Sequence, residues 1–324
     1  MRPRPLPSEL DARAFSARQA QALGVSKGRL RSSGLVHPTR GGYCTSPPDD
    51  LLHRARVWAV AMPDVRAFSH VTAALIHGLP LTRRLEELAL AGTLHVMART
   101  PDGRTDRPGV TGHRGLELRA VDLVDGLWVT SLADTWCDLA TLGPRVLSVD
   151  DLVVIGDHVV RILDEGSDVV VRPGSSTSPG VRALHQALGQ RVRPRGKVLL
   201  RQALDLIRPR VKSPMESRSR LMFVRAGFPE PEVNISITDD LGEWLAEGDL
   251  VWRDKRVVGE YQGAVHGEIK QRSADSARGH LLRRHGWTVE ELFADDVFRP
   301  PRRVDALRRF AEHLELDPRT LLIA

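Results

Sequence analysis

Two acidic residues that face each other across a predicted β-hairpin constrain this chain more than any other feature. The segment from Gly248 to Gly263 predicts two strands joined by a tight polar turn. If the turn is Asp254-Lys255, the register places Asp249 directly opposite Glu260. Cross-strand partners have Cβ atoms about 4.5–5.5 Å apart, and like charges at that distance destabilise a hairpin. The two carboxylates therefore need a compensating partner.

A divalent cation is the simplest partner for these carboxylates, because hard ions such as Mg²⁺ bind carboxylate oxygens. The alternative is a solvent-exposed hairpin with scattered acids. Against that alternative, Val257, Val258 and Gly259 indicate a buried strand, in which an uncompensated Glu260 is unfavourable.

The composition is that of a globular protein with two or three domains. The 324 residues are 41% hydrophobic and 27% charged, with a net charge of +6 that is compatible with a nucleic-acid partner. Cys44 and Cys137 are too few for a disulfide framework, and a reducing cytoplasm fits them. Residues 1–7 lack the apolar core expected of a signal peptide, and no apolar run has membrane-spanning length, so we predict a cytoplasmic protein without a membrane partner.

Residues 1–48 predict a winged helix-turn-helix. A helix from Phe15 to Leu23 has a serine N-cap, Ser26 caps a second helix up to Arg31, and residues 35–44 form a two-stranded wing. Basic side chains on the second helix and at the wing tip suit phosphate contacts and groove entry. The predicted DNA-binding residues here are Lys27, Arg29, Arg31 and Arg40. A protein-interaction module is the alternative.

Residues 49–171 predict a middle α/β domain, and residues 172–212 a linker followed by basic helices. The predicted strands of the middle domain are 87–97, 109–119 and 126–129, and its helices are 51–60, 68–77, 132–141 and 145–163. His70 and His77 lie seven residues apart, but without a third ligand we interpret them as core or surface histidines. The segment from Val181 to Arg225 contains twelve Lys or Arg residues and only two acidic residues. This excess of positive charge indicates either a phosphate-binding surface or a solvated face.

Residues 213–324 predict a mixed sheet flanked by helices. Ser213 and Glu216 form a capping box around Pro214, which opens the first helix. A strand over 233–237, the hairpin, a basic helix over 274–285, a strand over 287–293 and a helix over 305–314 follow. The whole chain is thus predicted to be an α/β (α+β) multidomain protein.

Four segments of the N-terminal half together resemble a known family. They are Arg40-Gly41-Gly42-Tyr43, residues 68–79, Gly112-His113-Arg114-Gly115 and residues 126–140. Their order is similar to that of actinobacterial proteins with an AbiEi-type antitoxin-like N-terminal half, although many relatives carry Arg-Thr where this chain has Asp134-Thr135. The resemblance implies that the winged helix binds DNA and that the α/β part after it is a scaffold or interaction domain.

The C-terminal third resembles the PD-(D/E)XK nuclease superfamily, which has the restriction-endonuclease-like fold. The matching motifs are Ser213-Pro214-Met215-Glu216, Gly248-Asp249-Leu250, Glu260-Tyr261-Gln262-Gly263, His266, Asp275-Ser276-Ala277-Arg278 and Gly286-Trp287. Together with the order helix, three strands, helix, strand, they are most similar to the very-short-patch-repair-like branch. The chain departs from that branch at Gln262, where the superfamily often has Lys and close relatives have Asp.

The second resemblance implies metal-dependent hydrolysis of DNA phosphodiester bonds. Asp249, Glu260 and the backbone carbonyl of Tyr261 would hold Mg²⁺, for which Mn²⁺ would substitute. The other implied roles are a second ion at Glu216, water positioning by Gln262, a base or phosphate ligand at His266, and phosphate contacts by Lys270 and Arg278. Two alternatives stay open, namely that Glu216 only caps its helix and that His266 is an ordinary loop histidine.

We therefore expect a DNA endonuclease or nickase whose DNA is held by the winged helix and the basic segments. The alternative is an AbiEi-like regulator or antitoxin whose nuclease-like domain only binds DNA or a partner. The retained Asp249 and Glu260 favour the enzyme, and Gln262 keeps the regulator open. A monomer would nick one strand, whereas a double-strand break would need a homodimer or two successive events.

Overall fold

The computed structural model describes residues 5–323 except 12, 33, 63–65, 101–104, 173–174 and 264–278. Within these residues the chain has an α+β fold with three sheets, as expected. It divides into two compact units. The first unit comprises Met1–Val146 and Ala187–Gly196, and the second comprises Leu147–Gln186 and Lys197–Ala324. The four predicted domain boundaries stay predictions.

The first unit begins with a small three-stranded sheet and two short helices. The strands are β1 (Phe15–Ser16), β2 (Val36–Thr39) and β3 (Gly42–Cys44), in the order β1-β3-β2, and the helices are α1 (Ala17–Ala22) and α2 (Lys27–Leu30). Ser16 and Ser26 cap the two helices as predicted, each accepting a hydrogen bond from the third helical residue. Phe15 and Leu30 are buried in a common apolar cluster, so this segment has a core of its own.

A mixed six-stranded sheet forms the rest of the first unit, in the order β6-β7-β5-β4-β9-β8. The strands are β4 (Arg66–Phe68), β5 (Leu94–Ala98), β6 (Asp106–Arg107), β7 (Val110–Arg114), β8 (Val121–Val124) and β9 (Leu127–Thr130). The helices are α3 (Leu51–Ala59), α4 (His70–Ile76), α5 (Arg83–Ala91) and α6 (Leu132–Leu139). Buried Phe68, Val96 and Val129 pack in one cluster with residues of α3 and α4.

The second unit contains a four-stranded sheet in the order β10-β11-β12-β13. Its strands are β10 (Glu232–Thr238), β11 (Trp244–Trp252), β12 (Val257–Tyr261) and β13 (Thr288–Leu292), and β12 and β13 are parallel. Its helices are α7 (Val149–Glu165), the 179–186 part of α8 (Pro179–Gly189), α9 (Lys197–Leu206), α10 (Pro214–Arg225), α11 (Ala294–Phe298) and α12 (Pro300–His313), and residues 279–284 are also helical. The predicted order of helix, three strands, helix and strand is thus found.

Both faces of this sheet are covered by apolar side chains. On one face, Leu250 and Val257 share a cluster with Phe223 of α10 and Phe310 of α12. On the other face, Val251 and Val258 pack in a cluster that includes Leu282. Because side chains alternate along a strand, Glu260 belongs to the second face.

Several predicted boundaries were wrong. The strand predicted over 87–97 begins at Leu94, because Thr82 caps a helix, α5, that extends to Ala91. The strand predicted over 109–119 ends at Arg114, where Gly115 adopts a positive φ of 104°. The helices predicted over 68–77, 145–163 and 305–314 begin instead at His70, Val149 and Pro300, the first because Arg66–Phe68 forms β4.

In the part of the chain described here, every helix is too short or too polar to cross a bilayer.

Candidate functional site

The β11–β12 hairpin has the register that the sequence predicts. Trp252 pairs with Val257 and Leu250 with Gly259, so one further step along each strand brings Asp249 opposite Glu260. The predicted two-residue turn was wrong. Residues Arg253–Lys255 form a single 3₁₀ turn, and Arg256 follows in the left-handed region with φ of 50°. A two-residue turn of type I′ requires positive φ at both central residues, which Asp254 and Lys255 do not adopt.

Asp249 is fixed at the end of the hairpin by the backbone of the facing strand. Its Oδ2 accepts a hydrogen bond of 2.9 Å from the N–H of Tyr261. Gln262 is held to the other neighbouring strand, since its N–H donates to the carbonyl of Leu292 at 2.7 Å. Asp249, Glu260 and Gln262 are all partly exposed, so this end of the sheet is accessible from solvent.

Glu216 is buried, at 7% exposure, and the predicted capping box forms only in part. Ser213 Oγ accepts from the N–H of Glu216 at 3.2 Å, as a cap should. The Glu216 carboxylate, however, does not accept a hydrogen bond from the backbone N–H of Ser213. Its Oε2 accepts instead from the N–H of Lys212 at 2.9 Å and from Nδ2 of Asn234 at 2.5 Å.

Asn234 is a site residue that the sequence did not reveal. It is 2% exposed and has a φ of 48°, a conformation that asparagine tolerates better than most residues. Val233 pairs with Leu250 and Ile235 with Gly248, so Asn234 lies opposite Asp249. Glu216, Asn234, Asp249 and Glu260 therefore follow one another across α10, β10, β11 and β12. The only sequence signal was an asparagine in a run of β-branched residues.

A lysine accompanies these acids. The Nζ of Lys212 forms an ion pair with Glu247, which lies two residues before Asp249 on β11. On the other side of the row, β13 places Glu291 opposite Glu260 in the parallel pairing. The end of the sheet is therefore rich in carboxylates, and Lys212 offsets one of them.

The oxygen ligands present suit a hard divalent cation. Asp249 and Glu260 supply two carboxylates from adjacent strands, and Mg²⁺ and Mn²⁺ both prefer oxygen ligands. In an extended strand the N–H and C=O of one residue point to the same side. The Tyr261 N–H points to Asp249, so its carbonyl belongs to the same side and could contribute a third oxygen. Glu216 Oε2 already accepts two hydrogen bonds, so that oxygen supports Asn234 rather than an ion.

Three predicted site residues, His266, Lys270 and Arg278, lie outside the described residues. Asp275, of the same motif as Arg278, lies there too.

The predicted DNA-binding side chains of the first unit differ in exposure. Lys27, Arg31 and Arg40 are exposed. Arg29 is half-buried, and its guanidinium donates to the Oγ of Ser32 in the same short segment. The structure therefore leaves three of the four basic side chains on the surface.

The basic run between Val181 and Arg225 is largely engaged within the protein. Seven of its twelve basic residues bond to acids or backbone carbonyls; they are Arg191, Arg208, Arg210, Lys212, Arg218, Arg220 and Arg225. Arg220 is fully buried and pairs with Asp157 at 3.2 Å. Most of this run therefore stabilises the fold, and a phosphate-binding surface formed by the whole run is not supported.

Comparison with known proteins finds two full-length relatives in Mycobacterium tuberculosis. "Uncharacterized protein MT2308" of strain CDC 1551 / Oshkosh and "Uncharacterized protein Rv2248" of strain ATCC 25618 / H37Rv are each 34% identical to this chain over 293 residues. The match covers 89% of this chain and 95% of each relative. This chain belongs to their family. The relatives' names state no activity, so membership assigns no role to the acids.

No family model matches the sequence. Among solved structures, the crystal structure of RV2827C protein from Mycobacterium tuberculosis has a TM-score of 0.36 and 17% identity, over 64% of this chain and 75% of that one. At that TM-score the likeness supports no conclusion about this chain.

Proposed function

We propose that this protein is a metal-dependent DNA endonuclease, which nicks or cleaves DNA at the end of the β11–β12 hairpin. The register of that hairpin carries the proposal, because it brings Asp249 opposite Glu260 on a half-buried sheet. Facing carboxylates repel each other unless a cation lies between them. The very-short-patch-repair-like motif order of residues 213–297 points to the same chemistry.

The residues present fit Mg²⁺, with Mn²⁺ as a substitute. Asp249 and Glu260 would hold the ion, with the Tyr261 carbonyl on the side of Asp249. When bound, the ion supplies positive charge to the scissile phosphate. Asn234 and Glu216 would hold the Asp249 end of the sheet in place from behind.

Gln262 would position the attacking water or a phosphate oxygen through its amide, which can both donate and accept a hydrogen bond. Its backbone bond to Leu292 fixes the start of the segment that carries His266, Lys270 and Arg278. For these three we keep the proposed roles of base or phosphate ligand and of phosphate contacts. Asp275 would have a structural role, by packing or by pairing with Arg278.

DNA would be held in part by a winged helix formed by the small sheet and helices of the first unit. The exposed charges of Lys27, Arg31 and Arg40 support this proposal, since such side chains bind phosphates. A homodimer would be needed for concerted cleavage of both strands.

The second candidate is a DNA-binding regulator of the antitoxin type with weak or no catalysis. Gln262 favours it, because a neutral amide stands where the resembling nucleases carry a charged side chain. In this case the acids would serve only the fold, and DNA binding would not need a metal.

A plasmid-nicking assay separates the two candidates. Supercoiled plasmid is incubated with Mg²⁺ or Mn²⁺ and with wild type, Asp249→Asn or Glu260→Gln. We expect each substitution to slow nicking at least about 100-fold, because metal ligation is worth several kcal/mol. Glu232→Gln is the matched control, since Glu232 lies on β10 of the same sheet and pairs only with Arg253 among the ion pairs described.

Two further readouts complete the assay. Calorimetric titration with Mn²⁺ reports metal binding without turnover, and both acid variants should lose it. Metal-independent DNA binding without any nicking by the wild type would favour the regulator. Equal nicking by wild type and both acid variants would contradict the proposed site.

A further inference from the structure

Three histidines of the first unit meet although they are distant in sequence. His70 is the first residue of α4, His95 lies on β5 and His113 on β7. His95 pairs with Thr111, two residues before His113, so the two histidines share one face of the sheet. One ring nitrogen from each histidine lies within 4.8 Å of the other two. In the described part of the chain, no other group of three His, Cys, Asp or Glu residues is as compact.

The rings are in direct contact. His113 Nε2 and His95 Nδ1 are 3.0 Å apart, and one of them donates to the other. His70 stacks on His113 with ring centroids 3.7 Å apart and an interplanar angle of 20°. Two nitrogens bound to one tetrahedral zinc ion are about 3.3 Å apart, so the separation of His95 and His113 is already close to that of a ligand pair.

The backbone around His70 is arranged to bring its ring to the strands. His70 has a φ of 51°, which is unfavourable for a residue other than glycine and often marks a functional position. The N–H of the fully buried Ser69 donates to the carbonyl of His95 at 3.0 Å. Ser69 Oγ lies 3.0 Å from Nδ1 of His70. With Nδ1 engaged, Nε2 is the nitrogen left for a ligand, an arrangement usual for metal-binding histidines.

The charge state of the histidines suits metal binding. Burial lowers the pKa of His70 to about 4 and also lowers the pKa of His95. Burial therefore favours the neutral imidazole, which is the form that binds metal ions. The buried carboxylate of Asp138 acts on His70 in the opposite direction.

We propose that His70, His95 and His113 bind a divalent transition-metal ion of the zinc class, such as Zn²⁺ or Co²⁺. Imidazole nitrogens select these ions over Mg²⁺ and Ca²⁺, which prefer oxygen. Three protein ligands leave one position of a tetrahedral ion open. His95 and His113 are only partly buried, so that position can face solvent. Binding requires the His70 ring to turn out of its stack on His113. The lone pairs of stacked rings lie in parallel planes and so cannot both point at one ion.

Cobalt titration of the full-length chain tests this site. After treatment with EDTA, the protein is titrated with Co²⁺ and followed by visible absorption and calorimetry. We expect one equivalent to bind with the intense bands of four-coordinate cobalt, and Zn²⁺ to displace it. His95→Gln and His113→Gln should each weaken binding at least about 100-fold, beyond the loss typical of supporting residues. His53→Gln is the control, since His53 lies in the same unit and contacts Asp49 on the surface.

The proposal is contradicted if the wild-type protein binds neither Co²⁺ nor Zn²⁺ stoichiometrically. The three rings would then be packed neutral histidines, and this result stands even if a histidine variant fails to fold. The double variant Asp249→Asn/Glu260→Gln separates this site from the acidic one. It should retain the Co²⁺ spectrum, whereas loss of that spectrum would assign the ion to the acids and overturn the proposal.

Discussion

The sheets of the two units both carry clustered polar side chains, but the clusters are made of different atoms and assembled in different ways. In the second unit, Asp249 and Glu260 meet across a hairpin whose two strands are adjacent in sequence. In the first unit, His95 and His113 come from parallel strands, and His70 comes from a helix. One cluster offers oxygen to hard cations and the other offers nitrogen to softer ones. A cluster formed by two strands that are adjacent in sequence can be predicted from the sequence. A cluster formed by segments that are distant in sequence cannot.

Each unit also contains an arginine buried among carboxylates. In the first unit Arg191 bonds to Asp134 at 2.8 Å and to Asp138 at 2.9 Å. In the second, Arg220 bonds to Asp157 at 3.2 Å and to Glu230 at 2.8 Å. The difference lies in burial, because both carboxylates of the first cluster are buried, whereas Glu230 is about one third exposed. We therefore expect the first unit to be more sensitive to loss of its arginine.

The largest effect should follow from Arg191→Met. The substitution leaves Asp134 and Asp138 buried with less compensation, and breaking a buried ion pair in this way typically costs about 3–5 kcal/mol. Urea denaturation measures the loss. Arg83→Met is the surface control, since its pair with Glu87 is highly exposed and worth about 0.5 kcal/mol at most. Similar midpoints for the two variants would show that the buried cluster does not stabilise the fold.

Alanine substitution of the glycine beside each cluster should destabilise the two sheets to different extents. A Cβ at Gly112, next to His113, would lie 2.1 Å from the backbone oxygen of Thr105. A Cβ at Gly259, next to Glu260, would lie 3.2 Å from the ring of Phe310. A ring can shift where backbone cannot, so we expect about 3 kcal/mol for Gly112→Ala and about 1 kcal/mol for Gly259→Ala. Thermal unfolding of both variants shows which loses more stability. A larger loss for Gly259→Ala would contradict these packing assignments.

Asn234 gives a smaller effect with two separable parts. Asn234→Gly keeps the left-handed backbone but removes the hydrogen bond to Glu216, for a loss of about 1–2 kcal/mol. Asn234→Ala loses the same hydrogen bond and also places at positive φ a residue that tolerates this region less well than asparagine or glycine, for about 1 kcal/mol more. The midpoints of chemical denaturation give both values. If the glycine variant is the less stable of the two, Asn234 is not held in this conformation.

The smallest effect is expected for Glu232→Gln, the control of the nicking assay. Its pair with Arg253 is partly exposed, and such surface pairs contribute about 0–1 kcal/mol. Denaturation should detect little change. A loss comparable with that of Arg191→Met would show that surface charge contributes more to this sheet than its exposure suggests.

Local signals predicted much of this fold. Serine N-caps fixed the starts of α1, α2 and α10, since a capping side chain satisfies backbone N–H groups within its own turn. Alternation of side chains gave the register of the β11–β12 hairpin. Both signals span only a few residues, so they do not depend on the conformation of the rest of the chain.

Features set by distant segments could not be predicted. Asn234 depends on contact with Glu216, and the histidine cluster depends on the pairing of β5 with β7. His70 was interpreted as an ordinary histidine because the sequence showed no third ligand near it, and the two histidines that it meets lie on strands 25 and 43 residues further along the chain. The basic run after Val181 was ambiguous for the same reason, because its acidic partners lie elsewhere in sequence.

Plasmid nicking by two double variants, assayed side by side in Mg²⁺, tests the assignment of catalysis to the acidic cluster most directly. Asp249→Asn/Glu260→Gln should abolish nicking, because it removes the oxygen ligands of the proposed catalytic ion. His95→Gln/His113→Gln, provided that it folds, should nick at the wild-type rate. Nicking that survives loss of the acids, or that disappears only with the histidines, would contradict the assignment.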